Sequence, residues 1–154
     1  MRDVGHPVIL DFKAISHEEE IIAQLVSRAI RATIANSILD IGMGRGEICS
    51  TLLEKHSNIR VTGIEPYASI SFANPRLSVV REEINLNSPF SSHDLSLFSH
   101  VLGHVPSGIR KDLILKASLD SKLATLIVTN SVTSRFGKVQ RALWNYVDDE
   151  SYFI

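Results

Sequence analysis

Residues 38–47 read Ile-Leu-Asp-Ile-Gly-Met-Gly-Arg-Gly-Glu, and no other stretch restricts the fold of this chain as much. A short apolar run passes through Asp40 into three glycines on alternate positions, Gly42, Gly44 and Gly46, and a helical pattern follows at roughly 47–56. Glycine is required where backbone turns sharply or presses against a ligand, because a Cβ would clash there. A glycine-rich turn joining strand to helix is a nucleotide-binding element of doubly wound α/β folds. A dinucleotide fingerprint would put its third glycine at position 47, where Glu47 stands instead. The spacing therefore argues against a nicotinamide site and against an oxidoreductase built on one.

The rest of the chain alternates in the way such a sheet requires. Ser16, three residues before Glu19, has capping-box spacing, and the acidic run Glu18-Glu19-Glu20 suits the first turn of a helix. Ile21, Ile22, Leu25, Val26, Ala29 and Ile30 then recur at helical period. Strands are predicted at Ser37–Ile41, Arg60–Ile64, Leu77–Val80, Asp94–Phe98 and Ala124–Thr129, the last almost continuously apolar as a doubly covered parallel strand should be. A helix over roughly 108–118 separates the last two. Alternating β and α elements imply a parallel sheet with right-handed crossovers. Repeats, low-complexity tracts and linkers are absent, so residues 1–154 form one domain: an N-terminal helical segment 1–36, a core 37–130 and a short C-terminal helix and tail 131–154.

A second acidic residue sharpens the ligand class. The predicted strand Arg60–Ile64 ends at Glu65-Pro66, and Glu65 lies 19 positions beyond Gly46. An acidic residue about 20 positions past the glycine loop, at the end of the next strand, is placed to accept hydrogen bonds from ribose hydroxyls. Its bland alternative is an exposed glutamate at a strand end.

The segment Asp40 to Gly46, with its acidic residue two before the first glycine, resembles motif I of the class I S-adenosylmethionine (SAM)-dependent methyltransferases. Asp94-Leu95-Ser96-Leu97-Phe98-Ser99-His100-Val101-Leu102-Gly103-His104-Val105-Pro106 resembles motif IV of the small-molecule members, where a strand runs into a loop of the type Ser-His-Val-Leu-Glu-His-Val-Pro. Gly103 departs from that pattern. The resemblance covers about residues 20–130 and implies an α/β fold: a doubly wound parallel sheet with a Rossmann-like methyltransferase core, lacking most of the C-terminal antiparallel hairpin.

The resemblance also implies roles. SAM, with S-adenosylhomocysteine as product, is the implied cofactor. Gly42, Met43 and Gly44 would let backbone approach its methionine part, Met43 otherwise filling core space. Asp40 would hold the loop or meet the SAM amino group, or else merely cap the turn. Glu65, followed by Pro66, would bind the ribose. Glu82 or Glu83 is the candidate acceptor for the adenine amino group, against a solvated acidic turn. Ser99 and His100 would line the site where the strand order reverses. Methyl transfer rests mostly on positioning, but an O- or N-nucleophile needs a base of near-neutral pKa, and His100 and His104 stand in the expected region. Were that segment helical, the two would share a face and form a metal-like pair, but no third ligand is evident, so no metal site is expected. A hydrogen-bonded structural role is the alternative for each. His6, His17, His56 and His93 read as surface residues.

Composition excludes some partners. The net charge is −1 and the pI about 6.6, so nucleic acid and anionic membranes are not expected partners. The single cysteine, Cys49, excludes a disulfide framework and reads as a small buried thiol of a reducing, cytoplasmic protein. Past Thr129, residues 134–147 carry an apolar stripe at helical period and the chain ends Ser-Tyr-Phe-Ile, like a strand begun and abandoned. An uncovered edge calls for a partner chain, a homodimer, a truncated remnant or a minimal domain. Two functions follow: a SAM-dependent methyltransferase acting on a small-molecule acceptor, or a SAM-binding subunit with little catalysis that scaffolds a partner as a homo- or hetero-oligomer.

Overall fold

The computed structural model describes residues 17–129. Helix α1 (Glu18–Thr33) leads into strand β1 (Ser37–Ile41), then α2 (Glu47–Lys55), β2 (Arg60–Ile64), β3 (Leu77–Val80), β4 (Leu95–Ser99), α3 (Ser107–Asp120) and β5 (Ala124–Val128). The strands form one sheet in the order β3-β2-β1-β4-β5, with every neighbouring pair parallel. Residues 130–154 and 1–16, with the predicted 134–147 helix, the C-terminal tail and Ser16, lie outside the described residues.

Alternation along each strand divides the core in two. On one face Ile38, Val61, Leu95 and Leu97 pack against Ile22, Val26 and Ile30 of α1 and Leu52 and Leu53 of α2. On the other, Leu39, Ile41, Ile64 and Phe98 pack against Leu113 and Ala117 of α3 and against Phe90. Burial on both faces leaves β1 and β4 buried along nearly their whole length, Asp40 and Ser96 included, whereas β5, expected to be doubly covered, is half-buried with Ile127 exposed. Only the stripe Ile22, Ala23, Val26, Ser27 and Ile30 of α1 is buried, while Ile21 and Leu25 of the predicted apolar face, about 100° round the helix, are exposed.

Three strands match their predicted bounds, and β4 begins one residue late for a physical reason. The Asp94 carboxylate accepts the N–H groups of Asn36 and Ser37 at 2.8 and 3.0 Å. It therefore ties the start of β1 to the start of β4 instead of extending the strand. The β2–β3 crossover, residues 65–76, carries no helix and instead packs Ile70 and Phe72 on the core. Arg76 at its end gives its guanidinium to the carbonyls of Leu53, His56 and Ile59, which closes the C-terminal end of α2.

His93 is not on the surface as the sequence suggests. It is buried, with Nδ1 2.9 Å from the Pro89 carbonyl and Nε2 2.9 Å from the Thr62 hydroxyl. Both contacts suit a neutral ring that donates from Nδ1 and accepts at Nε2. Burial is the main cause that lowers its pKa. His56 is half-buried and meets the Ser27 hydroxyl at 2.9 Å, joining α2 to α1. Because the folded state resists protonating His93, the stability it confers is complete above the unfolded-state value of about 6.5 and is lost as pH falls below it. Urea unfolding of wild type and His93→Gln from pH 8 to 5 should show wild type losing stability relative to the variant as the pH drops.

Candidate functional site

Strand order reverses between β1 and β4, so a crevice opens beyond their carboxyl ends, flanked by the loops after β1, β2 and β4. Each of the three loop glycines has positive φ: +72° at Gly42, +57° at Gly44 and +81° at Gly46. Their reasons differ. A Cβ on Gly42 would stand 2.3 Å from Val101 Cγ2, and one on Gly46 2.9 Å from Met43 Cε, so both are forced by the protein's own packing. A Cβ on Gly44 would meet nothing within 4 Å. Gly44 faces open space, the place where a ligand can lie against backbone.

Hydrogen bonds fix the loop. The N–H groups of Gly42 and Met43 donate to the Ile64 carbonyl at 2.8 and 3.3 Å, and Gly46 N–H donates to Met43 O at 2.9 Å. The Gly44 N–H donates instead to Glu65 Oε2 at 3.3 Å, while Tyr67 N–H donates to Glu65 Oε1 at 3.2 Å. One carboxylate thus spans the loops after β1 and β2. The first turn of α2, with Gly46 as its N-cap and no side-chain cap, turns its N–H groups toward the same end of the sheet.

Asp40 lies beneath this loop, fully buried in β1 between Gly63 and Leu97 of the neighbouring strands. The Cys49 thiol, on α2, donates to its Oδ2 at 3.1 Å, whereas Oδ1 is buried with no hydrogen-bond partner. Burial pushes the Asp40 carboxyl up to about 6; the Cys49 hydrogen bond opposes that shift, and the nearby Glu65 adds to it. Burial and Asp40 together push the Cys49 thiol well up, so it stays protonated.

Met43 does not offer its side chain to the crevice. It is buried in the core, seated over Gly63, where a Cβ would fall 1.8 Å from its sulfur. Pro66 sits half-buried in the turn after Glu65. Glu82 and Glu83, just past β3, are both exposed, and the fold does not distinguish them.

Ser99 ends β4 half-buried, and His100 follows with φ of +54°, its N–H donating to Val128 O at 2.9 Å. His100 Nε2 lies 3.0 Å from Glu18 Oε1 at the start of α1, at ion-pair distance but without the alignment of a hydrogen bond. The left-handed backbone at His100 breaks any helix there, and only a 3-10 turn, Leu102–His104, follows. His104 is exposed at its end, so the two histidines do not share a helical face as their spacing suggests. Buried Arg110 of α3 holds this loop, donating from Nε to Val105 O at 2.7 Å and from Nη2 to Gly103 O at 3.2 Å. Among the described residues, no group of three or more His, Cys, Asp and Glu could hold a metal ion. Glu18 and the Cys49–Asp40 bond escape the sequence, since a helix-start glutamate and a core cysteine look ordinary. The only signal for the latter is a small polarisable residue on the inward side of the helix after the loop.

Solved structures share this fold. The chain superposes on a SAM-dependent methyltransferase from Archaeoglobus fulgidus with a TM-score of 0.58 at 19% identity, covering 96% of this chain and 66% of that one. The fold is that of the class I SAM-dependent methyltransferases. The methyltransferase domain of bacterial CtHen1-C superposes with a TM-score of 0.59 at 17% identity, over 84% of this chain and 82% of that one. An O-methyltransferase family protein from Burkholderia thailandensis gives 0.52 at 13% identity, over 90% of this chain and 49% of that one. The chain therefore spans about half to four fifths of these structures. Neither a protein-family model nor a curated protein matches its sequence.

Two outcomes test the loop. Gly42→Ala should destabilise the fold by several kcal/mol, because Val101 cannot yield 1 Å or more, whereas Gly44→Ala should cost only about 1–2 kcal/mol for its left-handed backbone. Thermal unfolding of the two variants would check this ordering. Holding Asp40 charged in the native state above pH 6 costs on the order of 3 kcal/mol relative to the unfolded chain. Asp40→Asn should therefore be more stable than wild type by about 1–3 kcal/mol in chemical unfolding at pH 8, and the gain should vanish toward pH 4.

Proposed function

We propose that the crevice binds SAM and that the chain transfers its methyl group to a small-molecule acceptor. The observation that carries this reading is the buried, unpartnered Oδ1 of Asp40 beneath a glycine loop whose open position, Gly44, touches the Glu65 carboxylate. A cationic ligand with ribose hydroxyls fits that donor set. Asp40 supplies a buried anionic acceptor for an ammonium, and Glu65 exchanges its long bond to Gly44 N–H for hydroxyl donors. Ser99, at the end of β4, borders the same crevice, and an exposed acceptor for the adenine amino group is available in Glu82 or Glu83. The neighbouring structures described as SAM-dependent and O-methyltransferases support the ligand class.

Bound SAM supplies an electrophilic methyl group on a sulfonium. The chain's part is to position it and to manage the acceptor's proton. His100 is suited to accepting that proton, because it follows the end of β4 with the Glu18 carboxylate 3.0 Å from its Nε2. Glu18 then balances the imidazolium that forms. Arg110 holds the carbonyls of Gly103 and Val105 and so fixes the loop that carries both histidines. His104, exposed, is a candidate contact for the acceptor.

A second reading, a SAM-binding subunit that scaffolds a partner with little catalysis, is favoured by β5, the outer strand of the sheet among the described residues. It carries Ile127, 44% exposed, close in sequence to the exposed Leu119 and Leu123. A second copy or a different chain covering this edge would hide that surface. Among the described residues, no helix is long and apolar enough to cross a membrane.

Calorimetric titration with SAM should show saturable binding that Glu65→Ala weakens about 10- to 100-fold, the loss expected when charge-assisted hydrogen bonds are removed. A folded wild-type chain that binds no SAM would sink both readings. Binding without methyl transfer to any acceptor tried, alone or with a copurifying partner, would favour the scaffold.

A further inference from the structure

The two oxygens of the Asp40 carboxylate are not equivalent. Oδ2 accepts the Cys49 thiol at 3.1 Å, and Oδ1 has no partner although it is fully buried. We propose that Cys49 is a positioning residue: its thiol holds Oδ2 and so reserves Oδ1 as the acceptor that meets the ammonium of a bound S-adenosyl ligand. The proposal rests on the reading of the crevice as an S-adenosyl site.

The surroundings of Asp40 explain why a donor is needed. Opposite it in register stand Gly63 and Leu97, which offer no polar side chain, and α1 buries no titratable group. The charged side chains that bear on the ionisation of the pair are anionic. Glu65, at the end of β2, disfavours the Asp40 charge, and Glu47, at the start of α2, disfavours a thiolate at Cys49. Glu18 of α1 and His100 after β4 stand at ion-pair distance from each other. The Cys49 S–H is thus the side-chain donor that favours a charged Asp40, and burial keeps its proton on sulfur. Without it, burial and Glu65 would push the carboxyl further toward its neutral form. A neutral carboxyl offers an ammonium no opposite charge.

The test is calorimetric titration with SAM from pH 5 to 8, for wild type and for Cys49→Ala, Cys49→Val and Cys49→Ser. Wild-type affinity should fall as pH drops through about 6, where Asp40 takes up a proton. Cys49→Ala and the near-isosteric Cys49→Val should move that fall upward by about one pH unit, which weakens binding about twofold at pH 7 and close to tenfold at pH 5. Cys49→Ser should restore the wild-type profile through its hydroxyl. Carboxyl carbon NMR of the ligand-free proteins should show the Asp40 titration moving in the same order. A packing role alone would leave both profiles in place in Cys49→Val. Saturable binding with unshifted profiles in the folded Ala and Val variants would overturn this proposal alone. No saturable binding by wild type at any pH would overturn the S-adenosyl reading with it.

Discussion

A carboxylate buried without full compensation is the constraint around which this domain is arranged. Asp40 sits in the central strand, where its neighbours in register are a glycine and a leucine, and it receives one thiol hydrogen bond. Such a group costs stability in the ligand-free protein. Its persistence at the point where strand order reverses is the pattern expected when strain is kept for binding rather than for folding. The remaining features of the site follow from covering that charge: the glycine loop above it, the first turn of α2 beside it, and Glu65 across the gap.

The packing that makes this possible is unusually direct. Gly42 and Gly46 are small because Val101, Met43 and Phe72 already occupy the space beside them. At Gly44 nothing does, and its left-handed backbone is the reason for glycine. The same three-glycine pattern therefore closes the loop against the protein at two positions and leaves backbone facing open space at the third. Arg110 and Arg76 act in a related way elsewhere, using buried or half-buried guanidinium groups to satisfy carbonyls of loops and of a helix end.

Much of this was legible in the sequence, because apolar runs and glycine spacing are local signals. The strands at 37–41, 60–64 and 77–80 follow from β-branched and apolar runs bounded by polar residues. What was not legible depends on partners far along the chain. His93, embedded in Ser-Ser-His-Asp, looks like loop surface, and only the approach of Thr62 makes it a buried hydrogen-bonded residue. Asp94 looks like the first residue of a strand until the N–H groups of Asn36 and Ser37 claim it. The four-residue spacing of His100 and His104 suggests a helix, but the left-handed backbone at His100 excludes one. In the site, Asp40, the glycines and Glu65 could be named from spacing alone. Cys49 could be read as a buried thiol but not as the donor to Asp40, and nothing local marks the glutamate beside His100.

Met43 and Gly63 show how such packing constrains the history of a sequence. The methionine sulfur occupies the volume that any side chain at 63 would need, so the two positions cannot drift independently. A larger residue at 63 that follows a smaller one at 43 passes through a cavity beside the loop. The reverse order passes through an overpacked strand in the centre of the sheet. Substitution at either position is therefore coupled to the other, and methionine over glycine is the arrangement that leaves neither a cavity nor an overlap.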